Sequence, residues 1–272
     1  NDTAPTEIYP LPLHAALPIL PPVGEGGSRV KKKLALIGGA LAVCIAAYLL
    51  WTCQPWRTEP EEPPVPDTPV ENTAEPEPAY VSPIDFASLQ ERCPDIYAWL
   101  EIPDTDISYP VAQNADDTWY LTRDIDGNYS SDGTLFTESA YNGADLTDPA
   151  TVIYGHRMNS GAMFGTLQKT YSDPESFEAH REIVLYLPDQ EIHATVFAAV
   201  PYDNRHILYN YDFDDQRMTR LFLNSVRLVR DLGANLDEDA FPQEGDRMVI
   251  LSTCQKGNRQ MRYLVLAKWT PS

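Results

Sequence analysis

The chain has 272 residues, of which 40 are Asp or Glu and 20 are Lys or Arg, so its formal net charge is -20 at pH 7. Nucleic acids and anionic membrane surfaces are poor partners for so acidic a protein, because like charges repel. Its four cysteines do not form an evident disulfide framework. The sequence also contains no phosphate-binding glycine loop and no dinucleotide-binding fingerprint.

Residues 1–30 are rich in Pro, Leu and Ala and have neither helical nor strand periodicity. They also lack an initiator methionine. We treat them as an N-terminal segment whose native status is left open, and we exclude them from the prediction of the fold.

Residues 31–53 are predicted to be a basic flank followed by a membrane anchor. Three lysines precede an apolar run at 34–51, which is about the length that crosses a bilayer core as a helix. Cations before the run place the N-terminus in the cytoplasm and the rest of the chain outside. A cleaved signal peptide is the alternative, because Ala46 and Ala47 are small enough for a cleavage site. We favour the uncleaved anchor, because the run continues to Trp51, a residue suited to a membrane interface.

Residues 54–83 are rich in Pro and Glu, with Trp56 and Tyr80 as the only aromatic residues. Such a segment cannot bury enough apolar surface to fold, and proline together with charge repulsion keeps it extended. We predict an extracytoplasmic stalk.

Residues 84–272 are long enough for one well-formed core. Around Pro94 the pattern favours two short helices before the first strand, and apolar spacing predicts a helix within 214–232. Short β-rich runs separated by turn residues occur at 107–113, 134–137, 151–154, 182–187 and 191–200. The pattern predicts a mainly β domain, a closed or nearly closed barrel decorated by helices.

The last two strands are predicted at Met248–Thr253 and Met261–Ala267, and Cys254 lies where the first of them ends. Arg259 and Arg262 follow closely, and nearby cations favour the thiolate form that makes a cysteine nucleophilic. The alternative is a structural role, since free cysteine is among the most buried residue types.

A second apolar run, TVIYGH at 151–156, ends at His156, which is able to act as a proton-transfer partner. Cysteine and histidine far apart in sequence, each at the end of a strand, are typical of thiol acyl-transfer enzymes. His180, His193 and His206 lie at no metal-binding spacing, and we interpret them as packing or surface residues. The Asp-rich turn at 124–128 lacks the spacing of a calcium loop, so no metal site is predicted.

Several motifs in this order resemble the class B sortases, a class within the transpeptidases that fasten proteins to Gram-positive cell walls. The resemblance covers residues 84–269. The motifs are PDIYAWLEIPDTDISYPVAQ (94–113), WYL (119–121), GTLF (133–136), YGH (154–156), a segment at 163–171, LSTC (251–254) and RYLVLAK (262–268).

The resemblance implies a closed β-barrel with N-terminal helices and a long helix before the cysteine strand. It also implies that Cys254 is the nucleophile, that His156 is the acid and base, and that an arginine donates hydrogen bonds to the oxyanion or to the substrate backbone. We favour Arg262 for that role because it opens the RYLVLAK strand, while Arg259, predicted to lie in the loop, remains the competitor.

The residues expected to contact the substrate are Asp117, Tyr154, Leu208, Tyr209, Ser252 and Thr253. Tyr154 is expected to share a strand and a face with His156. Asp117 stands where class B sortases often have an asparagine that contacts the substrate, which leaves the peptide motif open.

The implied partners are surface proteins that carry an Asn-Pro-x-Thr-type sorting signal, and an amine of the peptidoglycan cross-bridge or of another protein. The implied location is the cell membrane, with a single span and the catalytic domain outside, and no cofactor is expected. Two alternatives remain at this point: a cysteine hydrolase without transfer, and a non-catalytic binding domain in which Cys254 is a core residue.

Overall fold

A computed structural model of the protein describes residues 80–271. The predictions for residues 1–30, for the anchor at 31–53 and for nearly all of the stalk lie outside these residues. Within 80–271, no helix is both long and apolar enough to cross a membrane.

The described residues form one sheet of nine strands in the order β5-β1-β2-β3-β4-β8-β9-β6-β7. Strand β5 also pairs with β6, so eight of the strands close into a barrel and β7 extends it at β6. The pairs β2/β3 and β4/β8 are parallel. The strands are β1 Ile96–Glu101, β2 Ser108–Asn114, β3 Leu135–Glu138, β4 Ala150–Tyr154, β5 Glu182–Tyr186, β6 Glu191–Asp203, β7 Asn235–Leu236, β8 Arg247–Gln255 and β9 Asn258–Trp269. The predicted closed, mainly β barrel is confirmed.

The helices decorate this barrel. They are α1 Phe86–Arg92, α2 Leu167–Ser172, α3 Pro174–Ala179, α4 Ile207–Asn210 and α5 Gln216–Arg227, with 3-10 turns at Trp119–Leu121 and Glu238–Ala240. The long helix predicted within 214–232 is confirmed as α5, which begins after the N-cap Asp215. The prediction of two helices before the first strand is wrong for the described residues. Only α1 precedes β1 there, because the chain turns at Cys93 and becomes extended from Ile96.

Alternation along β8 explains why the barrel has two apolar layers. Val249 and Leu251 belong to the cluster that fills the barrel, whereas Met248 and Ile250 belong to a second cluster. That outer cluster includes Phe222 of α5, so the helix covers this face of the sheet. Successive side chains of a strand point to opposite faces, so Ser252 and Cys254 continue the outer row.

Gly155 directly follows strand β4, and its surroundings leave no room for a side chain. An ideal Cβ there would lie 2.4 Å from Cδ2 of Leu135 and 2.6 Å from Cδ2 of Phe164. Both of those side chains are fully buried, so neither moves away easily.

We therefore expect Gly155→Ala to destabilise the fold by about 1–3 kcal/mol, the usual range for overpacking. Urea unfolding of the variant and the parent protein measures the change. An unchanged midpoint with an unchanged m-value would show that Leu135 and Phe164 yield without cost.

On β6, the His193 ring contacts two carboxylates. Nδ1 lies 2.6 Å from Glu182 Oε1, and Nε2 lies 3.2 Å from Glu191 Oε1. The hydrogen bonds to Glu182 and then to Glu191 raise the pKa of His193, against a smaller opposing effect of burial. The contribution of His193 to the stability of the folded protein is therefore complete below its ordinary pKa of about 6.5. This contribution is lost as the pH rises through the raised pKa of His193 in the folded state.

We expect His193→Gln to lower the melting temperature by roughly 1–3 °C at pH 6, a small effect because the ion pair is exposed. The effect should be smaller at pH 9, because His193 is uncharged there. Thermal unfolding at the two pH values checks the difference. An NMR titration that puts the pKa of His193 at or below its ordinary value would contradict the assignment.

Candidate active site

The parallel pairing of β4 and β8 brings the predicted histidine and cysteine to the same edge of the barrel. The register runs from Ala150 opposite Met248 to Tyr154 opposite Ser252. Two residues further along each chain lie His156 and Cys254. The Gly155 N–H still donates to the Ser252 carbonyl at 3.2 Å, so the two backbones remain tied beyond the last strand pair.

The expectation that Tyr154 and His156 share a strand needs correction. Strand β4 ends at Tyr154, and His156 belongs to the loop that follows. Its backbone is nevertheless fixed, because the His156 carbonyl accepts a hydrogen bond of 3.0 Å from the Phe164 N–H.

An irregularity in the β8/β9 hairpin decides which arginine lies opposite the thiol. Gln255 pairs with Asn258, so a regular hairpin would place Arg259 opposite Cys254. Instead Cys254 pairs with Arg262, which leaves 259–261 as a bulge in β9. The strands are also longer than predicted, and Arg259 lies in β9 rather than in a loop. Bulges of this kind re-aim side chains and are common beside active sites.

Arg262 also contacts the thiol directly. Its Nη1 lies 3.5 Å from Sγ of Cys254. Cys254 is half-buried and forms no disulfide, so its sulfur is a free thiol that is partly accessible. A guanidinium at this distance stabilises negative charge on the thiol and on an oxyanion formed next to it.

The His156 ring is oriented by a backbone group. Its Nε2 lies 2.7 Å from the carbonyl oxygen of Leu121, the last residue of the 3-10 turn Trp119–Leu121. A carbonyl oxygen only accepts, so Nε2 carries a proton. Nδ1 is then the ring nitrogen left to exchange protons with a reacting group.

The charges of an acidic and a basic residue, Glu138 and Arg262, both act on the hydroxyl of Tyr154. Its ring stacks on Phe136, with centroids 5.5 Å apart. Burial raises the pKa of the Tyr154 hydroxyl, the charge of Glu138 and a hydrogen bond to it raise it further, and the charge of Arg262 opposes them. The Tyr154 hydroxyl therefore stays protonated, and the charges of both Glu138 and Arg262 act on it.

The other predicted contact residues have different surroundings. Ser252 and Thr253 are only 4% and 2% exposed, whereas Tyr209 is 76% exposed. Leu208 packs on the outer apolar cluster. Asp117 is engaged within the chain, because Oδ1 accepts hydrogen bonds from the N–H and the hydroxyl of Ser139, at 2.6 and 3.1 Å.

Three residues that contact the candidate site, directly or through one another, were not predicted to belong to it: Leu121, Glu138 and His206. Leu121 acts through its carbonyl, which no sequence pattern reveals. Glu138 follows Phe136 by two residues on β3 and so has the same facing, a signal that could have been used. His206 was interpreted as a packing or surface residue, and its side chain is 36% exposed and contacts Glu138.

Two other features of the described residues lie away from this chemistry. A cavity of about 510 Å³ is lined by Pro149, Arg247 and Met248, at the opposite ends of β4 and β8 from His156 and Cys254. Within 80–271, no group of three or more His, Cys, Asp or Glu is arranged to hold a metal ion.

Comparison with known proteins agrees with this geometry. Residues 100–270 match the Sortase domain family. Sortase B of Listeria monocytogenes is 27% identical over 170 residues, which are 62% of this chain and 67% of that protein.

Two solved structures are similar in fold as well. A class B sortase of Streptococcus pyogenes is 26% identical with a TM-score of 0.60, over 68% of this chain and 97% of the other. Sortase B of B. anthracis is 28% identical with a TM-score of 0.61, over 72% and 90%. The chain therefore belongs to the sortase family and is an enzyme of its class B, a cysteine transpeptidase.

Proposed function

We propose that this enzyme cleaves a C-terminal sorting-signal peptide of the Asn-Pro-x-Thr type through a thioester on Cys254 and transfers the acyl group to an amine. The observation that carries the assignment is the 3.5 Å contact between Arg262 Nη1 and Cys254 Sγ. Arg262 supplies the cation that stabilises a thiolate. It does so at the end of the barrel where His156 also lies.

In the first half of the reaction, the Cys254 thiolate attacks the carbonyl carbon of the scissile peptide bond and a C–S bond forms. Arg262 donates to the oxyanion of the tetrahedral intermediate. As the C–N bond breaks, His156 gives the proton on Nδ1 to the leaving amine. A thioester remains on Cys254.

In the second half, an incoming amine attacks the thioester carbonyl, and His156 accepts the proton that the amine loses. The C–S bond breaks, the new amide leaves, and the thiolate is restored. The amine belongs to a peptidoglycan cross-bridge or to another protein. The S. pyogenes relative is involved in pilus biogenesis, which is a reason to test protein amines as acceptors.

The proposed domain organisation completes this function. Residues 31–53 anchor the chain in the cell membrane, 54–83 form a stalk, and 84–272 form the catalytic domain outside. Residues 1–30 have no assigned role. This arrangement rests on the lysines and the apolar run of the sequence and on the Pro- and Glu-rich composition of the stalk.

We expect Cys254→Ala to abolish peptide cleavage and leave the fold intact, because loss of one half-buried sulfur costs little packing compared with loss of the nucleophile. The purified protein is incubated with a library of Asn-Pro-x-Thr-type peptides, and mass spectrometry follows the thioester and the products. Turnover by the variant would refute the assignment of the nucleophile.

The same assay separates transfer from hydrolysis. With an added amine nucleophile, a transpeptidase forms a ligated product, whereas a cysteine hydrolase releases only the acid. If Cys254 of the folded protein resists a mild alkylating agent, the reading as a binding domain with a core cysteine gains support.

We expect Arg262→Lys to lower peptide turnover roughly 10²- to 10³-fold, because an ammonium group keeps the charge but loses the two-pronged donor geometry of a guanidinium. Arg259→Lys is the matched control and should have little effect. Rates of peptide cleavage are measured for both variants, together with alkylation of Cys254 to show that the thiol remains reactive. The reverse ranking would move the role to Arg259.

A further inference from the structure

His206 makes two different hydrogen-bonding contacts with its two ring nitrogens. Nδ1 accepts from the Tyr209 N–H at 3.1 Å and so caps the first turn of α4. Nε2 lies 3.1 Å from Oε1 and 3.0 Å from Oε2 of Glu138. A nitrogen that accepts from an N–H carries no proton, so Nε2 is the donor to the carboxylate. One ring therefore joins α4 to the end of β3.

Such a connection matters because α4 has only four residues, too few to hold their shape alone. Ile207 is buried and anchors the inner side of α4 to the outer apolar cluster. On the outer side, Tyr209 is exposed. The loop that carries α4 begins at the end of β6. The hydrogen bond from His206 to Glu138 connects this loop to a second strand, β3.

The carboxylate that receives this contact is itself well placed. The Glu138 side chain is 16% exposed, and its charge acts on the Tyr154 hydroxyl, which lies near Arg262. The hydrogen bond to Glu138 raises the pKa of His206, burial opposes it, and the charges of Glu138 and Asp117 add to the rise. The pair therefore connects the loop with the surroundings of the reacting groups.

Aromatic surface flanks the pair on the outside. The Tyr141 ring lies 4.9 Å from the His206 ring, centroid to centroid, and Tyr141 is 41% exposed. Tyr209 lies three residues along α4. Exposed aromatic rings held by a fixed partner are suitable contact surfaces for an extended peptide.

We propose that Glu138 and His206 form a positioning pair, which holds the α4 loop in place as one wall of the peptide groove. The proposal deepens the proposed function and rests on it. Neither residue exchanges a proton with the substrate. Their effect is exerted through the placement of Tyr209 and its neighbours, so it falls mainly on peptide binding.

The kinetic test uses Glu138→Ala, His206→Asn and the double variant in the peptide assay. Asparagine is a good N-cap and keeps an acceptor for the Tyr209 N–H, but it is too short to reach Glu138. Each single variant should raise KM about tenfold with kcat changed less than threefold, as expected when uniform binding is lost. The double variant should be no worse than either single one, because both remove the same contact.

His206→Gln is the conservative variant, since its amide N–H reaches the position of Nε2 while the cap acceptor is lost. It should raise KM only about two- to threefold. If the cap alone matters, the order of the two substitutions reverses, with His206→Asn close to the parent protein. Glu182→Ala, which breaks the similar His193 pair far from the site, is the matched control and should leave KM unchanged.

Hydrogen–deuterium exchange of α4 tests, without any peptide, whether the contact between His206 and Glu138 holds the helix in place. Glu138→Ala should speed exchange at residues 207–210, and Glu182→Ala should not. Unchanged exchange, or KM effects that multiply in the double variant, would overturn the proposal. If the parent protein cleaves no sorting peptide at all, the proposed function fails. The exchange result still shows separately whether the contact between His206 and Glu138 holds α4 in place.

Discussion

The parallel contact between β4 and β8 is the constraint on which the site depends. Parallel neighbours run in the same direction, so both chains leave the sheet at one edge, and their side chains keep a common register up to that edge. A histidine and a cysteine at equivalent positions beyond Tyr154 and Ser252 then need no special loop to approach each other. An antiparallel contact between the same strands would have sent them to opposite ends of the barrel.

Backbone features complete what that contact begins. The carbonyl of Leu121 orients the imidazole, the absence of a side chain at Gly155 lets the chain leave β4 between two buried residues, and the bulge in β9 turns Arg262 toward the sulfur. Each of these is a property of chain geometry rather than of a side chain's chemistry. Cys254 and Arg262 lie on strands of the sheet, and backbone hydrogen bonds fix the chain at His156 just beyond β4, which is the condition for a preorganised site.

The sequence predicted the described strands other than β1 and β7, and it marked Cys254 and His156 as candidate site residues, because alternating apolar runs and their polar ends are local signals. It could not predict β1, where local helical preference in 94–100 is overridden by pairing with β2 and β5. It could not choose between Arg259 and Arg262 from spacing, since the choice depends on the bulge at 259–261 in the register between β9 and β8. The pairing of His206 with Glu138 was also hidden, because it joins segments 68 residues apart.

The β4/β8 contact also bears on how the enzyme acquires its reactivity. Tyr154 and Ser252 are about 100 residues apart along the chain, and closing so large a loop is among the slower steps of folding. Until it closes, Cys254 and His156 are not held at the same end of one barrel. Under the proposed mechanism, a chain that is incompletely synthesised or unfolded is therefore inert toward peptide bonds, and activity requires the finished barrel.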